Sequence, residues 1–188
     1  MPHALLHNAL KLGLVIGVAA ALLALIQWTT KAPIIEAQQQ YEQQTLQAVF
    51  PTTEPVDIIA YTSTSWSVCH QQQPLGRIDK LTTLEGYSGS IELLVGMTLD
   101  QSIKAVRVLQ HKETPGLGDD IEKRKSDWID QFESKSLTAT NASNWAIRKD
   151  GGTFDQLTGA SITSRAMVNR IKRHLDELPS PLTLPCYD

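Results

Sequence analysis

The sequence predicts an α+β domain, a small antiparallel sheet with packed helices, behind one N-terminal transmembrane helix. Three observations carry this. Leu12 to Trp28 is an almost unbroken apolar run. Ile91–Thr98 and Ile103–Gln110 are strand-like and are joined through the tight connection Asp100-Gln101-Ser102. Near the C-terminus Met167, Val168, Ile171, Leu175 and Leu178 recur at three- and four-residue steps, the period of one helix face.

The apolar run, counted from Ala9 to Trp28, gives about 20 residues, enough to cross the hydrocarbon core of a bilayer. Trp28 stands where an interfacial aromatic belongs. The small Ala19-Ala20-Ala21 stretch lies inside the apolar core, and no small-x-small site follows it. A retained anchor is therefore favoured over a cleaved signal peptide. Residues 1–11 form a short head expected in the cytoplasm, with the folded remainder outside. Residues 32–51 read as a Gln-rich stalk helix continuing from the anchor. Tyr41, Leu46, Val49 and Phe50 give it a partial apolar face, and Pro51 stops it. A globular domain is expected over 52–188.

Val56–Thr62 has strand character. The polar stretch Thr62–Leu75, with Pro74 followed by Gly76, reads as an irregular loop. Gly86-Tyr87-Ser88-Gly89 is a turn. Val106 and Val108 alternate with Arg107, so the two strands around Asp100 form a half-buried hairpin. His111-Lys112-Glu113-Thr114-Pro115-Gly116-Leu117-Gly118 follows, a sharp loop with exposed backbone. It is either a plain strand-to-helix turn or a wall whose N–H groups and Thr114 hydroxyl face a ligand. Asp119–Phe132 is expected to be helical and Ser134–Asn144 a loop. Trp145–Arg148 reads as a short strand, turned at Asp150-Gly151-Gly152. Leu178-Pro179-Ser180-Pro181 ends the last helix.

The most informative stretch is Asp155-Gln156-Leu157-Thr158-Gly159-Ala160-Ser161-Ile162-Thr163-Ser164. Thr163 or Ser164 can cap the helix that follows. Gly159 and Ala160 strip bulk from the backbone, leaving the Ser161 hydroxyl beside a helix N-terminus. That end carries partial positive charge and free N–H donors, which suit a phosphate. A simple cap is the plainer reading of the same residues.

The net charge of −3 gives no reason to expect nucleic acid. Lys123-Arg124-Lys125 and the basic residues Arg165, Arg170, Lys172 and Arg173 read as solvated helix faces. There is no metal-ligand spacing, no P-loop and no G-x-G-x-x-G after a strand. Cys69 and Cys186 form no C-x-x-C pair, and a disulfide between them would fit an oxidising compartment. None of the five histidines stands in a triad-like context. His111 is open to two readings, a surface loop residue or a proton donor to a ligand. Trp128 and Trp145 read as core, with stacking on a ligand ring as the alternative.

The order D-x-x-[ST]-G-A-[ST]-x-[ST], ending at Thr163, resembles the flavinylation signature of the FMN-binding domains of bacterial Rnf and Nqr electron-transport complexes. His111-x-Glu113-Thr114-Pro115-Gly116-Leu117-Gly118 and Gly86-Tyr87-x-Gly89 resemble the same family. The compact length is more similar to the G-type subunits of the Rnf (Rsx) complexes than to the related C-type subunits of the sodium-pumping NADH:quinone reductase. The resemblance implies FMN joined through a phosphoester to Ser161 by a flavin transferase, with Ser where the family usually has Thr. It places Glu113, Thr114, Gly116 and Leu117 near the ring or ribityl chain. It counts Thr158, Gly159, Ala160 and Thr163 as cofactor-binding, with Thr158 and Thr163 flanking the phosphate. Asp155 is the motif acid, open to capping or turn bonding on one reading and to transferase recognition or activation of the acceptor hydroxyl on the other. It implies a component of a translocase complex in the bacterial inner membrane with a periplasmic flavin domain, whose partners are other membrane subunits and an iron–sulfur subunit. A cofactor-free assembly or sensing module is the competing expectation.

Overall fold

The computed structural model describes residues 2–137, 144–179 and 184–186. The chain divides into two compact units, 1–42 and 43–188. Helix α1 (Pro2–Ala48) runs through the anchor and the Gln-rich segment, with Pro33 inside it. Among the described residues it is the one helix long and apolar enough to cross a membrane, with a window of mean hydropathy 2.2.

The second unit is α+β. Five strands form one antiparallel meander in chain order: β1 (Asp57–Ala60), β2 (Ser65–His70), β3 (Gln73–Gly86), β4 (Gly89–Thr98) and β5 (Ile103–Gln110). Helix α2 (Ser161–Glu177) covers one face of it. In β4 the residues Ile91, Leu93, Val95 and Met97 point to that face. They join Phe132, Trp145, Phe154, Met167 and Ile171 in the main core. Leu94 points the other way, into a second cluster with Val49, Phe50, Val68 and Ile78. The sheet is therefore buried on both sides at its centre, which explains why β4 reads as a continuous apolar run.

Three expected elements are corrected. Thr62–Leu75 is no loop but a hairpin, in which β2 turns into β3 through Gln71 and Gln72, at φ 50° and 65°. Two positive φ angles match the twist of a tight two-residue turn, a place usually marked by Asn-Gly. Glutamine carries no such signal. Pro74 sits opposite Cys69, where the register shifts, so its missing N–H interrupts no regular ladder.

Asp119–Phe132 is not one α-helix but two short 3₁₀ turns, Gly118–Ile121 and Trp128–Phe132. Between them the Ser126 hydroxyl donates to the Asp120 carbonyl and accepts the Trp128 N–H, replacing helical bonds with local ones. Trp145–Arg148 contains only an isolated bridge, Ile147 to Phe154, and Arg148 begins a 3₁₀ turn. The chain reverses at Gly151 before a ladder can grow. The expected loop over 134–144 lies partly, and the Ser180-Pro181 end of the tail wholly, outside the described residues.

One covalent and one polar link fasten this unit. Cys69 and Cys186 are disulfide-bonded, tying the C-terminal segment to β2 across 117 residues. Beneath the last turn of α2, buried Asp79 takes Arg77 Nη2 at 2.5 Å and His174 Nε2 at 2.9 Å. Burial pushes the Asp79 carboxyl up, but bonds from His174, Arg77 and Ser65 outweigh it and hold its pKa below the usual value.

Both links can be cut by single substitutions. Cys69→Ser should lower stability by about 5 kcal/mol, the chain-entropy value for a loop of this size, read from denaturant midpoints. Asp79→Asn should cost about 3–5 kcal/mol at neutral pH, since it breaks a buried pair. A depressed carboxylate pKa contributes stability above the unfolded value of about 3.9 and loses it as pH falls through the folded value. The gap between Asp79→Asn and wild type should therefore close below about pH 4 in urea titrations at several pH values.

Candidate functional site

The acceptor stretch is held at both ends. Upstream, the Asp155 backbone docks on the 128–132 turn. Its carbonyl accepts from Trp128 Nε1 at 2.7 Å, and its N–H donates to Gln131 Oε1 at 2.7 Å. The Asp155 side chain is exposed and lies 2.8 Å from Arg148 Nε. Downstream, the buried Ser164 hydroxyl donates to the Ala160 carbonyl and accepts the Leu157 N–H at 2.9 Å. Gly159 adopts φ 77°, a conformation that favours glycine.

The helix starts earlier than the capping pattern suggests. Ala160 holds the N-cap position and supplies no side-chain bond, so Ser161 is the first helical residue. Thr163 and Ser164 lie inside α2, because their hydroxyls are used elsewhere: Ser164 on the loop, Thr163 on a carboxylate. The uncapped first-turn N–H donors and the half-buried Ser161 hydroxyl thus share one end of the helix.

That carboxylate is Glu113, which is buried. Its Oε2 accepts the Thr163 hydroxyl at 2.6 Å and its Oε1 the Ser88 N–H at 3.1 Å. One side chain therefore joins the loop after β5, the β3–β4 turn and α2. Glycines make room for it. A Cβ on Gly86 would lie 2.7 Å from Glu113 Oε1, and one on Gly118 would lie 2.9 Å from Oε2.

The rest of the loop after β5 is a braced turn. The Thr114 carbonyl accepts the N–H groups of Leu117 and Gly118 at 3.2 and 3.1 Å. Gly116, at φ 78°, donates its N–H to Asp119. A bond from Lys125 and this N–H hold the Asp119 carboxyl below its usual pKa. His111 Nδ1 accepts the Glu113 N–H at 3.0 Å, which leaves Nε2 to donate to Glu122 at 2.9 Å. Burial disfavours charge on Glu122, but bonds from Arg124 and His111 win and set its pKa at about 2.

Between these segments opens a cleft of about 450 Å³. Its lining includes Glu113, Thr114 and Leu117 from the loop, and Gly159, Ala160, Ser161 and Thr163 from the acceptor stretch. Tyr87, Gly118 and Ile162 also line it; the sequence placed them in the turn, the loop and the acceptor stretch without singling them out as site residues. Tyr87 was legible as an aromatic inside a Gly-flanked turn, where it is 68% exposed. Gly116 and Thr158 are exposed and outside the lining. His111 and the two tryptophans are also outside it. Trp145 is buried in the main core and Trp128 packs edge-on against Phe132. A larger hollow of about 1120 Å³ lies along edge strand β1 and the disulfide, lined mainly by polar groups.

The second unit is thus a meander sheet with one covering helix, whose N-terminal end and Ser161 hydroxyl line a mainly apolar cleft, a shape that suits a small-cofactor-binding domain. Here it follows, in the sequence, a helix long and apolar enough to cross a membrane. Residues 86–176 match the FMN-binding domain family, and residues 1–49 match the RnfG N-terminal region. The chain is 40% identical over 191 residues to a protein of Pseudoalteromonas atlantica, covering 92% of this chain and 87% of the relative. It is 40% identical over 189 residues to one of Pseudomonas aeruginosa, covering 92% and 88%. A Salmonella typhi protein is 49% identical over 113 residues, covering 58% and 55%. Each of the three is named as the G subunit of an ion-translocating oxidoreductase complex. The chain belongs to this family of oxidoreductase-complex G subunits.

Gly118→Ala should destabilise the domain by about 1–3 kcal/mol, because the new methyl crowds Glu113 against Thr163. Thermal unfolding of the purified chain measures it.

Proposed function

We propose that this chain is the electron carrier of a membrane complex that couples electron transfer to ion translocation, and that its redox group is FMN esterified to Ser161. The observation that carries the proposal is the position of Ser161. Its hydroxyl lies at the first residue of α2, on the wall of the cleft, beside N–H donors that no cap side chain uses. A phosphoester there would sit in the partial positive field of the helix end.

The other residues fit a flavin. The cleft volume is in the range of small-cofactor sites. Leu117 and Ile162, each nearly half exposed, offer apolar surface to a ring, and Tyr87 adds an aromatic face. In this reading Thr114 faces the ring or ribityl chain and Thr163 lies on the phosphate side. Bound FMN would supply one- and two-electron transfer; the chain supplies attachment, orientation and field. Asp155, exposed on the anchored loop, is available for recognition by a flavin transferase.

The Cys69–Cys186 disulfide supports an oxidising compartment, here the periplasmic side of the inner membrane with α1 as the anchor. Other membrane subunits and an iron–sulfur subunit are the proposed partners.

Intact-mass measurement with peptide mapping tests this, on chain made in cells that contain a flavin transferase. The expected result is one FMN ester on the Ser161 peptide, its loss in Ser161→Ala and its retention in Ser161→Thr. An unmodified wild-type peptide, with the transferase active on a control protein, would favour a cofactor-free assembly module. Modification at Thr158 or Thr163 would keep the function and move the site.

A further inference from the structure

The cleft is electrically one-sided. Its lining contains one carboxylate, Glu113, and no Lys, Arg or His. Among the described residues no cation pairs with Glu113; its recorded side-chain partners are the Ser88 N–H and the Thr163 hydroxyl. The nearby acids are paired with cations, Asp119 with Lys125 and Glu122 with Arg124 and Lys125. A buried carboxylate without a counter-cation is costly to keep, and its field is weakly screened.

We infer that Glu113 is the residue that sets the potential of the bound flavin: its carboxylate opposes the arrival of electrons and makes the carrier a stronger reductant. This rests on the reading that the cleft holds FMN. Each electron entering the cleft adds one unit of negative charge until a proton follows from water. A buried carboxylate on the wall of the same cleft raises the free energy of that added charge. The effect depends on distance and burial, not on which ring edge faces Glu113.

Charge and positioning are separable at this residue. Glutamine has the same shape. Its Oε1 can keep the Ser88 N–H, and its Nε2 can donate to the Thr163 hydroxyl oxygen. Glu113→Gln thus keeps the three-way link and removes the charge. Thr163→Val does the reverse, breaking one bond and leaving the charge.

The test is an anaerobic titration of the full-length chain, made with the transferase, using dithionite (oxidised to sulfite) against a reference dye. Intact mass is taken first on every sample. Glu113→Gln should be reduced at a more positive potential than wild type. Glu113→Asp should stay near wild type, and Thr163→Val should not reproduce the rise. Equal potentials for flavin-loaded wild type and Glu113→Gln would overturn the inference. So would an equal rise in Thr163→Val, which would make the residue purely structural. Failure of Glu113→Gln to carry FMN while Glu113→Asp carries it would overturn it too, in favour of a role in loading. Wild type without FMN would defeat the parent reading, and the mass shows this before any titration.

Discussion

The candidate site depends on one side chain shared by three segments. Glu113 leaves the end of β5, enters the interior and accepts hydrogen bonds from the β3–β4 turn and from α2. Without it, the turn at Ser88 and the helix at Thr163 would have no common partner. Its burial is possible only because Gly86 and Gly118 present no side chain to it. The cost of an uncompensated buried carboxylate is offset by two hydrogen bonds, one from a fixed backbone N–H. The result is a wall that cannot shift without breaking a buried polar contact.

The remainder of the domain keeps that wall in place. The sheet is a simple meander, so neighbouring strands are neighbours in sequence and hairpin turns set the register. Its two faces have different tasks. One receives α2 and the aromatic group Phe132, Trp145 and Phe154. The other is closed by Val49 and Phe50, just after the last turn of α1. Helix α2 is gripped at both ends, by Thr163 on Glu113 and by His174 on Asp79. The hydroxyl at its first residue is therefore presented by an element held near both ends.

Hydroxyl use in the acceptor stretch shows how local pattern and tertiary context divide the work. Thr163 and Ser164 have the chemistry of helix caps, and in isolation either could serve. In the fold both are drawn inward, one to Glu113 and one to Leu157 and Ala160. Ser161 is left at the rim with an uncapped helix end. The absence of a cap costs helix stability, but it keeps N–H donors available for an anion.

Much of the architecture was written in local pattern. The apolar run, the hairpin around Asp100, the Gly-flanked turn at Tyr87 and the period of α2 depend on near neighbours, and near neighbours are what a sequence displays. The Thr158–Ser161 core, with its glycine and free hydroxyl, was legible for the same reason. What local pattern could not decide was pairing across distance. The Gln71-Gln72 turn needs β3 beside it before positive φ angles are worth adopting. The 118–132 segment would be a helix by periodicity, yet Ser126 and the packing of Trp128 break it into short turns. Glu113 and Thr163 stand 50 residues apart, and neither names the other in the sequence. The order of residues was enough to specify most of the elements and the Ser161 hydroxyl. That Glu113 is buried and bonded to Thr163 and Ser88 was settled by folding alone, because a hydrogen bond between distant residues exists only once the chain has brought them within reach.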